Sequence, residues 1–120
     1  MTSIAFQSIN WEQVEKEEYK GETGTAHSQT LEFDGLRVRI VEYSANYFAD
    51  HWCQKGHFVH CLEGEFTSEL ESGEKFNLKK GMSYIVSDDA SSHRSFTSAG
   101  VKLLIIDGDL LNPLIQKMKV

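Results

Sequence analysis

The most constraining feature of this sequence is a succession of short segments in which apolar and polar residues alternate with a period of two. Such alternation places the apolar side chains on one face of a β-strand. The segments follow one another from Thr23 onward and are separated by Gly- or Asp-containing turns, for example Asp34-Gly35. The predicted strands are 31–33, 36–43, 57–62, 65–70, 75–78, 82–86, 93–97 and 101–106. Short strands at such regular spacing are typical of an antiparallel sandwich or barrel.

The two ends of the chain have a different pattern. Residues 1–22 are polar and predict a short N-terminal arm, in which Asn10 caps a helical stretch over residues 11–15. At the other end, residues 110–119 predict a short helix with Pro113 in its first turn. A chain of 120 residues has room for one domain. We therefore predict a single all-β domain over residues 1–120, with the core barrel over about 23–108.

Charge and hydropathy limit the partners of this domain. With 12 basic and 18 acidic residues, the formal charge is −6, which disfavours nucleic acid and anionic membrane surfaces. The longest apolar run, residues 103–106, is far too short to span a bilayer. The N-terminus lacks the pattern of a signal peptide, so we expect a cytoplasmic protein in which Cys53 and Cys61 are reduced thiols.

A group of histidine and cysteine residues predicts a metal site. His51 and Cys53 are two residues apart, so in an extended segment their side chains point the same way. Gly56 permits a sharp change of direction before His57, which begins the next predicted strand. His93 begins another strand after a polar loop, and closure of the barrel would bring it to the same end.

These residues resemble the two sequence motifs of the cupin superfamily. The first motif has the form G-x5-H-x-H-x3-E-x6-G, and the run from Ala45 to Gly64 keeps its spacing. His51 stands at the first His, Cys53 at the second and His57 at the Glu. The second motif, G-x5-P-x-G-x2-H-x3-N, is similar to the run 81–97, in which His93 follows a loop that is one residue longer. Within the superfamily, Asp50-His51-Trp52-Cys53 resembles the Asp-His-Cys-Trp signature of small uncharacterised cupins.

The resemblance implies a double-stranded β-helix, the cupin jelly-roll barrel, often in a homodimer and with a metal near the barrel mouth. The implied ligands are His51, Cys53, His57 and His93. Sulfur and imidazole donors in place of a carboxylate favour zinc first, then iron or nickel, over Mn²⁺ and Mg²⁺. The resemblance carries no particular activity, because one fold serves many reactions.

Several further residues are candidates for a ligand pocket beside the metal. Arg39 alternates with Val38 and Ile40, so it lies either on a solvated strand face or inside the barrel as an anchor for an anionic ligand. Aromatic residues flank the metal candidates, and such walls occur in ligand pockets and in plain cores alike. The aromatic pocket candidates are Tyr43, Trp52 and Tyr84.

Two functions are compatible with this sequence. The first is a small metal-dependent enzyme acting on a small organic molecule, and the alternative is a non-catalytic cupin that binds a ligand or metal as a sensor or storage module. Cys53 bears on the choice, because a thiolate and three imidazoles would close a tetrahedral site, whereas three protein ligands leave a position open. We expect Cys53 to bind the metal.

Overall fold

A computed structural model describes residues 3–113 as one curled antiparallel sheet of nine strands. The strands are β1 (Lys16–Lys20), β2 (Thr25–Phe33), β3 (Leu36–Tyr43), β4 (Tyr47–Phe48), β5 (His57–Leu70), β6 (Lys75–Lys79), β7 (Ser83–Val86), β8 (His93–Thr97) and β9 (Val101–Gly108). Single 3₁₀ turns are formed by Trp11–Gln13 and Asp109–Leu111. The all-β class expected from the alternation and the cupin-type barrel implied by the resemblance are confirmed.

The sheet curls because its longest strand belongs to both of its halves. The first half of β5 pairs with β9 and β7, and its second half pairs with β6 and β8. The other neighbours extend the first half in the order β9, β3, β2, β1, and β4 extends the second half beside β8. Every second side chain along these strands points inward, and these side chains pack together inside the curled sheet. The core residues are Val41, Val59, Cys61, Phe66, Leu78, Val101, Leu103 and Ile105.

The structure corrects one predicted turn. Glu63-Gly64 does not separate two strands, because β5 runs through it as 14 continuous residues with a bulge between Cys61 and Glu63. Gly64 adopts φ +81°, and a Cβ there would lie 2.4 Å from the carbonyl oxygen of Gly100. A bulge accommodates the extra residue while keeping the strand paired, so the glycine signal marked a bend rather than a reversal.

The predicted N-terminal arm is partly a strand. Asn10 caps the first 3₁₀ turn by accepting a hydrogen bond from the Glu12 N–H. After this turn, β1 pairs with β2 along the edge of the sheet, although all five of its residues are exposed. The barrel sheet therefore begins at Lys16, before the expected boundary at 23.

The predicted C-terminal helix over residues 110–119 extends beyond the described residues, which end at 113. Within them, residues 110 and 111 lie in the second 3₁₀ turn, Asp109–Leu111. Among the described residues, no helix is long and apolar enough to cross a membrane.

Candidate metal centre

Cys53, His57 and His93 come together at one end of the barrel. Their ligand atoms all lie within 4.8 Å of one another, and both histidines are buried. Backbone pairing explains part of this geometry. The Cys53 N–H donates to the carbonyl of His93 at 2.7 Å, and the His93 N–H donates to the carbonyl of Cys53 at 3.0 Å. His57 is the first residue of β5 and reaches the same point from the opposite half of the sheet.

Both imidazole rings are held through their Nδ1 atoms. His57 Nδ1 donates to Oδ2 of Asp107 at 3.2 Å, and His93 Nδ1 donates to the carbonyl oxygen of Ser91 at 2.9 Å. Both acceptors lack a proton to give, so each Nδ1 carries the hydrogen, and each ring in its neutral form has a lone pair on Nε2. The Nε2 of His93 is buried and has no hydrogen-bond partner among the described residues.

These donors fit a single divalent transition metal. Cys53 Sγ and His57 Nε2 are 3.4 Å apart. Two such atoms bound to one tetrahedral zinc ion, at ordinary Zn–S and Zn–N lengths, would be about 3.6 Å apart. Histidines that bind metals commonly donate their other nitrogen to a carboxylate or a backbone carbonyl, as both histidines do here. The buried, unpartnered Nε2 of His93 would gain a partner from such an ion.

Asp107 links this group to two arginines. Its carboxylate receives a bidentate contact from Arg37, through Nε at 3.0 Å and Nη2 at 2.9 Å, and a longer one from Arg39 Nη2 at 3.4 Å. The side chain of Asp107 is only 2% exposed. Burial raises the pKa of this carboxyl, but His57 and the two arginines outweigh it and hold the pKa well below its usual range. Asp107 is therefore a buried carboxylate anion.

The surroundings of Cys53 also favour its anion, because they lower the pKa of the thiol. Burial raises the pKa of Cys53, but the hydrogen bond with His57, the neighbouring His93 ring and the charge of His57 together lower it to about 5. The pKa of His57 moves the other way: burial lowers it, and the contacts with Asp107 and Cys53 raise it overall. A thiolate is the form of cysteine that binds metals and attacks electrophiles.

A cavity of about 260 Å³ opens onto these three side chains. Its lining comes from several strands and from the 49–55 segment, and it combines charged, polar, aromatic and aliphatic side chains. The lining residues are Tyr19, Arg37, Arg39, Tyr43, Tyr47, Ala49, His51, Cys53, Lys55, His57, Val59, Tyr84, His93, Arg94, Ser95, Leu103 and Ile105.

Comparison with known proteins identifies the fold. An RmlC-like cupin from Shewanella frigidimarina has 21% identity and a TM-score of 0.69, covering 87% of this chain and 91% of its own. Ectoine synthase from P. lautus has 16% identity and a TM-score of 0.67, covering 86% and 78%. This chain has the cupin fold. A sugar phosphate isomerase of the cupin superfamily from Silicibacter pomeroyi is also similar, with 13% identity and a TM-score of 0.66, covering 85% and 75%. No protein family profile and no curated protein sequence matches the chain.

Not every predicted ligand of the cupin motif lies in the group of three. His51 lines the same cavity, but its side chain is 77% exposed and its Nδ1 lies 2.6 Å from Oδ1 of Asp50. The Asp50 contact and the exposure hold His51 at the rim, away from the three converging donors. The structure thus brings together three of the four predicted ligands.

The pocket candidates also separate into two groups. Arg39, Tyr43 and Tyr84 line the cavity, and Tyr43 stacks on Tyr47 with 4.1 Å between ring centroids. Burial raises the pKa of the Tyr84 hydroxyl, which is therefore protonated at neutral pH. Trp52 does not line the cavity. Instead its ring lies 4.2 Å from the guanidinium of Arg94, which does line it.

Sequence reasoning missed Asp107, which holds His57. A signal for it exists in β9, where the inward positions are Val101, Leu103, Ile105 and then Asp107. A carboxylate that ends a row of buried apolar residues needs a cationic or hydrogen-bonding partner inside the barrel. Tyr19 was missed as well, because β1 was expected to be part of the arm.

Proposed function

We propose that this cupin-fold protein is a metal-dependent enzyme that binds one divalent transition metal through Cys53, His57 and His93 and acts on a small organic molecule in the adjoining cavity. The observation that carries the proposal is the convergence of three donor atoms within 4.8 Å, one of them a buried imidazole nitrogen without a partner. Zinc is the first choice of metal, and iron or nickel the second, because the donor set is one thiolate and two imidazoles.

The number of donors favours catalysis over storage or structure. Structural zinc sites are closed by four protein ligands, whereas catalytic sites have three and leave one position for water or substrate. Here the fourth predicted ligand, His51, lies at the exposed rim. A metal bound at this point would act as a Lewis acid facing the cavity. The protein's own part would be to fix both rings through Asp107 and Ser91 and to keep the thiol as thiolate.

Elemental analysis of tag-free protein tests the metal, and activity screening of the loaded protein tests catalysis. The expected result is close to one zinc, iron or nickel ion per chain, removed by a chelator and restored on adding the ion. Protein that stays metal-free after incubation with Zn²⁺, Fe²⁺ and Ni²⁺ would contradict the proposal. Stoichiometric metal with no exchangeable water at the ion would favour the non-catalytic sensor or storage function.

A second candidate function is metal-free thiol catalysis, which one specific observation favours. Cys53 Sγ, His57 Nε2, His57 Nδ1 and Asp107 Oδ2 form a continuous chain with separations of 3.4 Å and 3.2 Å. This is the nucleophile, base and orienting carboxylate of a cysteine-histidine-aspartate triad. In an acyl transfer, the Cys53 thiolate would bond the acyl carbon, the bond to the leaving group would break, and the proton held by His57 would pass to the leaving group. Metal-free protein with a trappable acyl-Cys53 would favour this function.

The cytoplasmic location and the homodimer belong to the same proposal. Both cysteines are free thiols, as expected in a reducing compartment. Several large apolar side chains are exposed on the single chain, including Phe6 at 101% and Ile85 at 67%. A second copy that covered them would also protect the exposed edge strand β1. Light scattering at micromolar concentration distinguishes the dimer from a monomer.

A further inference from the structure

We propose that the ligand of the main cavity is a small organic carboxylate held by the guanidinium of Arg39. The inference rests on the proposed function in placing the ligand beside Cys53, His57 and His93, and it adds the chemical class of that ligand. The charged residues that line this cavity are all basic. The whole chain carries −6, yet Arg37, Arg39, Lys55 and Arg94 line the cavity, and among the described residues no Asp or Glu does.

Two of these four cations have a carboxylate of their own, from a residue that does not line the cavity. Arg94 donates to Glu69 at 2.7 Å, and Lys55 lies 3.8 Å from Asp88. Arg37 and Arg39 instead share Asp107, which His57 also contacts. Two guanidinium groups against one carboxylate leave one positive charge in excess at the cavity wall.

Arg39 is the member of this pair that has donors to spare. Arg37 holds Asp107 through two short contacts, whereas the only side-chain hydrogen bond of Arg39 among the described residues is the 3.4 Å contact of Nη2. The side chain of Arg39 is 17% exposed, and its Nε is buried with no hydrogen-bond partner within residues 3–113. A guanidinium has five N–H donors in a planar fork that matches a carboxylate. Buried N–H donors normally have a hydrogen-bond acceptor, and a ligand oxygen in the cavity would provide one for Arg39.

The position of Arg39 would place the carboxylate of the ligand close to the candidate metal donors. Arg39 Nη2 and His57 Nδ1 both lie within 3.4 Å of the same oxygen of Asp107. A ligand with its carboxylate on Arg39 would therefore keep the rest of its skeleton beside the Nε2 side of His57. Apolar and aromatic side chains, including Tyr84, Leu103 and Ile105, line the same cavity and suit a short hydrocarbon skeleton.

Size favours a small monocarboxylate. The planar fork of the Arg39 guanidinium matches the two oxygens of a single carboxylate. The cavity volume of about 260 Å³ equals that of about nine water molecules. An acid of roughly nine or fewer non-hydrogen atoms fills such a space, which lies below the usual range of drug-sized pockets.

Isothermal titration calorimetry with acetate, butyrate and benzoate, each beside its neutral amide, tests this inference on zinc-loaded and on chelator-treated protein. We expect at least one carboxylate to bind at least tenfold more tightly than its amide. Arg39→Gln is expected to weaken that binding at least tenfold. Lys55→Gln removes a charge from the same cavity and is the matched control, with an expected change of less than threefold.

Several results would overturn the inference: no carboxylate binds, acid and amide bind equally, Arg39→Gln has no effect, or Lys55→Gln weakens binding as much. Inorganic phosphate that binds more tightly than every carboxylate would also reject it. Where Arg39→Gln does not fold, Arg39→Lys keeps the charge and loses the fork, and a loss of at least threefold is expected. Carboxylate binding that depends on Arg39 in a protein that binds no zinc would reject the proposed function alone.

Discussion

Asp107 and His57 lie 50 residues apart in the sequence, yet Oδ2 of the first accepts a hydrogen bond from Nδ1 of the second at 3.2 Å. The order of the strands explains the contact. β9 lies between β3 and β5, so an inward side chain near the end of β9 faces arginines on one neighbour and His57 on the other. One carboxylate thereby connects the charge of Arg37 and Arg39 with the candidate metal donors.

The first prediction concerns Asp107→Asn. The amide leaves two arginines without their counter-ion, so we expect the free energy of unfolding to fall by roughly 2–4 kcal/mol at pH 7. The expected loss is smaller than for a fully buried ion pair, because the side chain of Arg37 is 36% exposed and water screens its charge. Urea denaturation measures the change, and Glu63→Gln, at an exposed position, is the control. A variant as stable as the native protein at pH 7 would contradict this account.

The pH dependence of the same variant has a definite sign. Because the folded-state pKa of Asp107 is lowered, its stabilisation is fully present above the unfolded value near 4 and is lost as the pH falls below it. The difference in stability between native protein and Asp107→Asn should therefore shrink below about pH 4. A difference that stays constant between pH 7 and pH 3 would argue that the loss comes from packing rather than from charge.

The second prediction concerns the thiolate ligand. Cys53→Ser replaces a soft thiolate by a hydroxyl that binds zinc poorly, so zinc affinity should fall at least about a hundredfold. Competition with a chromogenic chelator measures the affinity, and Cys61→Ala is the control, because Cys61 is buried in the core. In the native protein, zinc should also protect Cys53 from alkylation. Unchanged affinity, with Cys53 alkylated equally fast in the presence of zinc, would reject ligation.

The strands were predictable because the alternation of apolar and polar side chains depends only on residues that are neighbours in the sequence. The hairpin of β2 and β3 around Asp34-Gly35 follows from alternation and one turn signal. The continuity of β5 does not, because a glycine signals the same backbone freedom at a turn and at a bulge. The bend at Gly64 depends on the close approach of Gly100, which only the folded sheet brings near.

The candidate site was predictable to the extent that motif spacing fixes which side chains face one point. Cys53, His57 and His93 converge as this spacing predicts. The position of His51 depends on the course of the 49–55 loop and on the contact with Asp50, which period-two reasoning does not describe. The role of Asp107 required the sheet order, since its partners lie on two different strands.

The third prediction separates a three-donor from a four-donor site. His93→Ala removes a buried donor and should lower zinc affinity at least about a hundredfold, whereas His51→Ala, at the exposed rim, should change it less than threefold. Cobalt substitution reports the coordination of the ion by its absorption spectrum, which should change in His93→Ala only. A large loss of affinity in His51→Ala would show that the rim loop closes on the metal and completes a four-ligand site.

The last prediction uses the reactivity of Cys53 in chelator-treated protein. The pKa of this thiol is lowered to about 5, so the thiolate, which is the reactive form, should persist from neutral pH down to about pH 5. The rate of iodoacetamide modification at Cys53, followed by mass spectrometry, should be nearly constant from pH 8 to pH 6 and fall tenfold per unit well below pH 5. His57→Gln removes the residue that lowers the pKa most, so its rate should instead rise toward pH 9. His60→Gln, which alters a half-buried histidine in contact with Ser83, should behave like the native protein. A native rate that climbs steadily from pH 6 to pH 9 would contradict the thiolate and the contact with His57 that produces it.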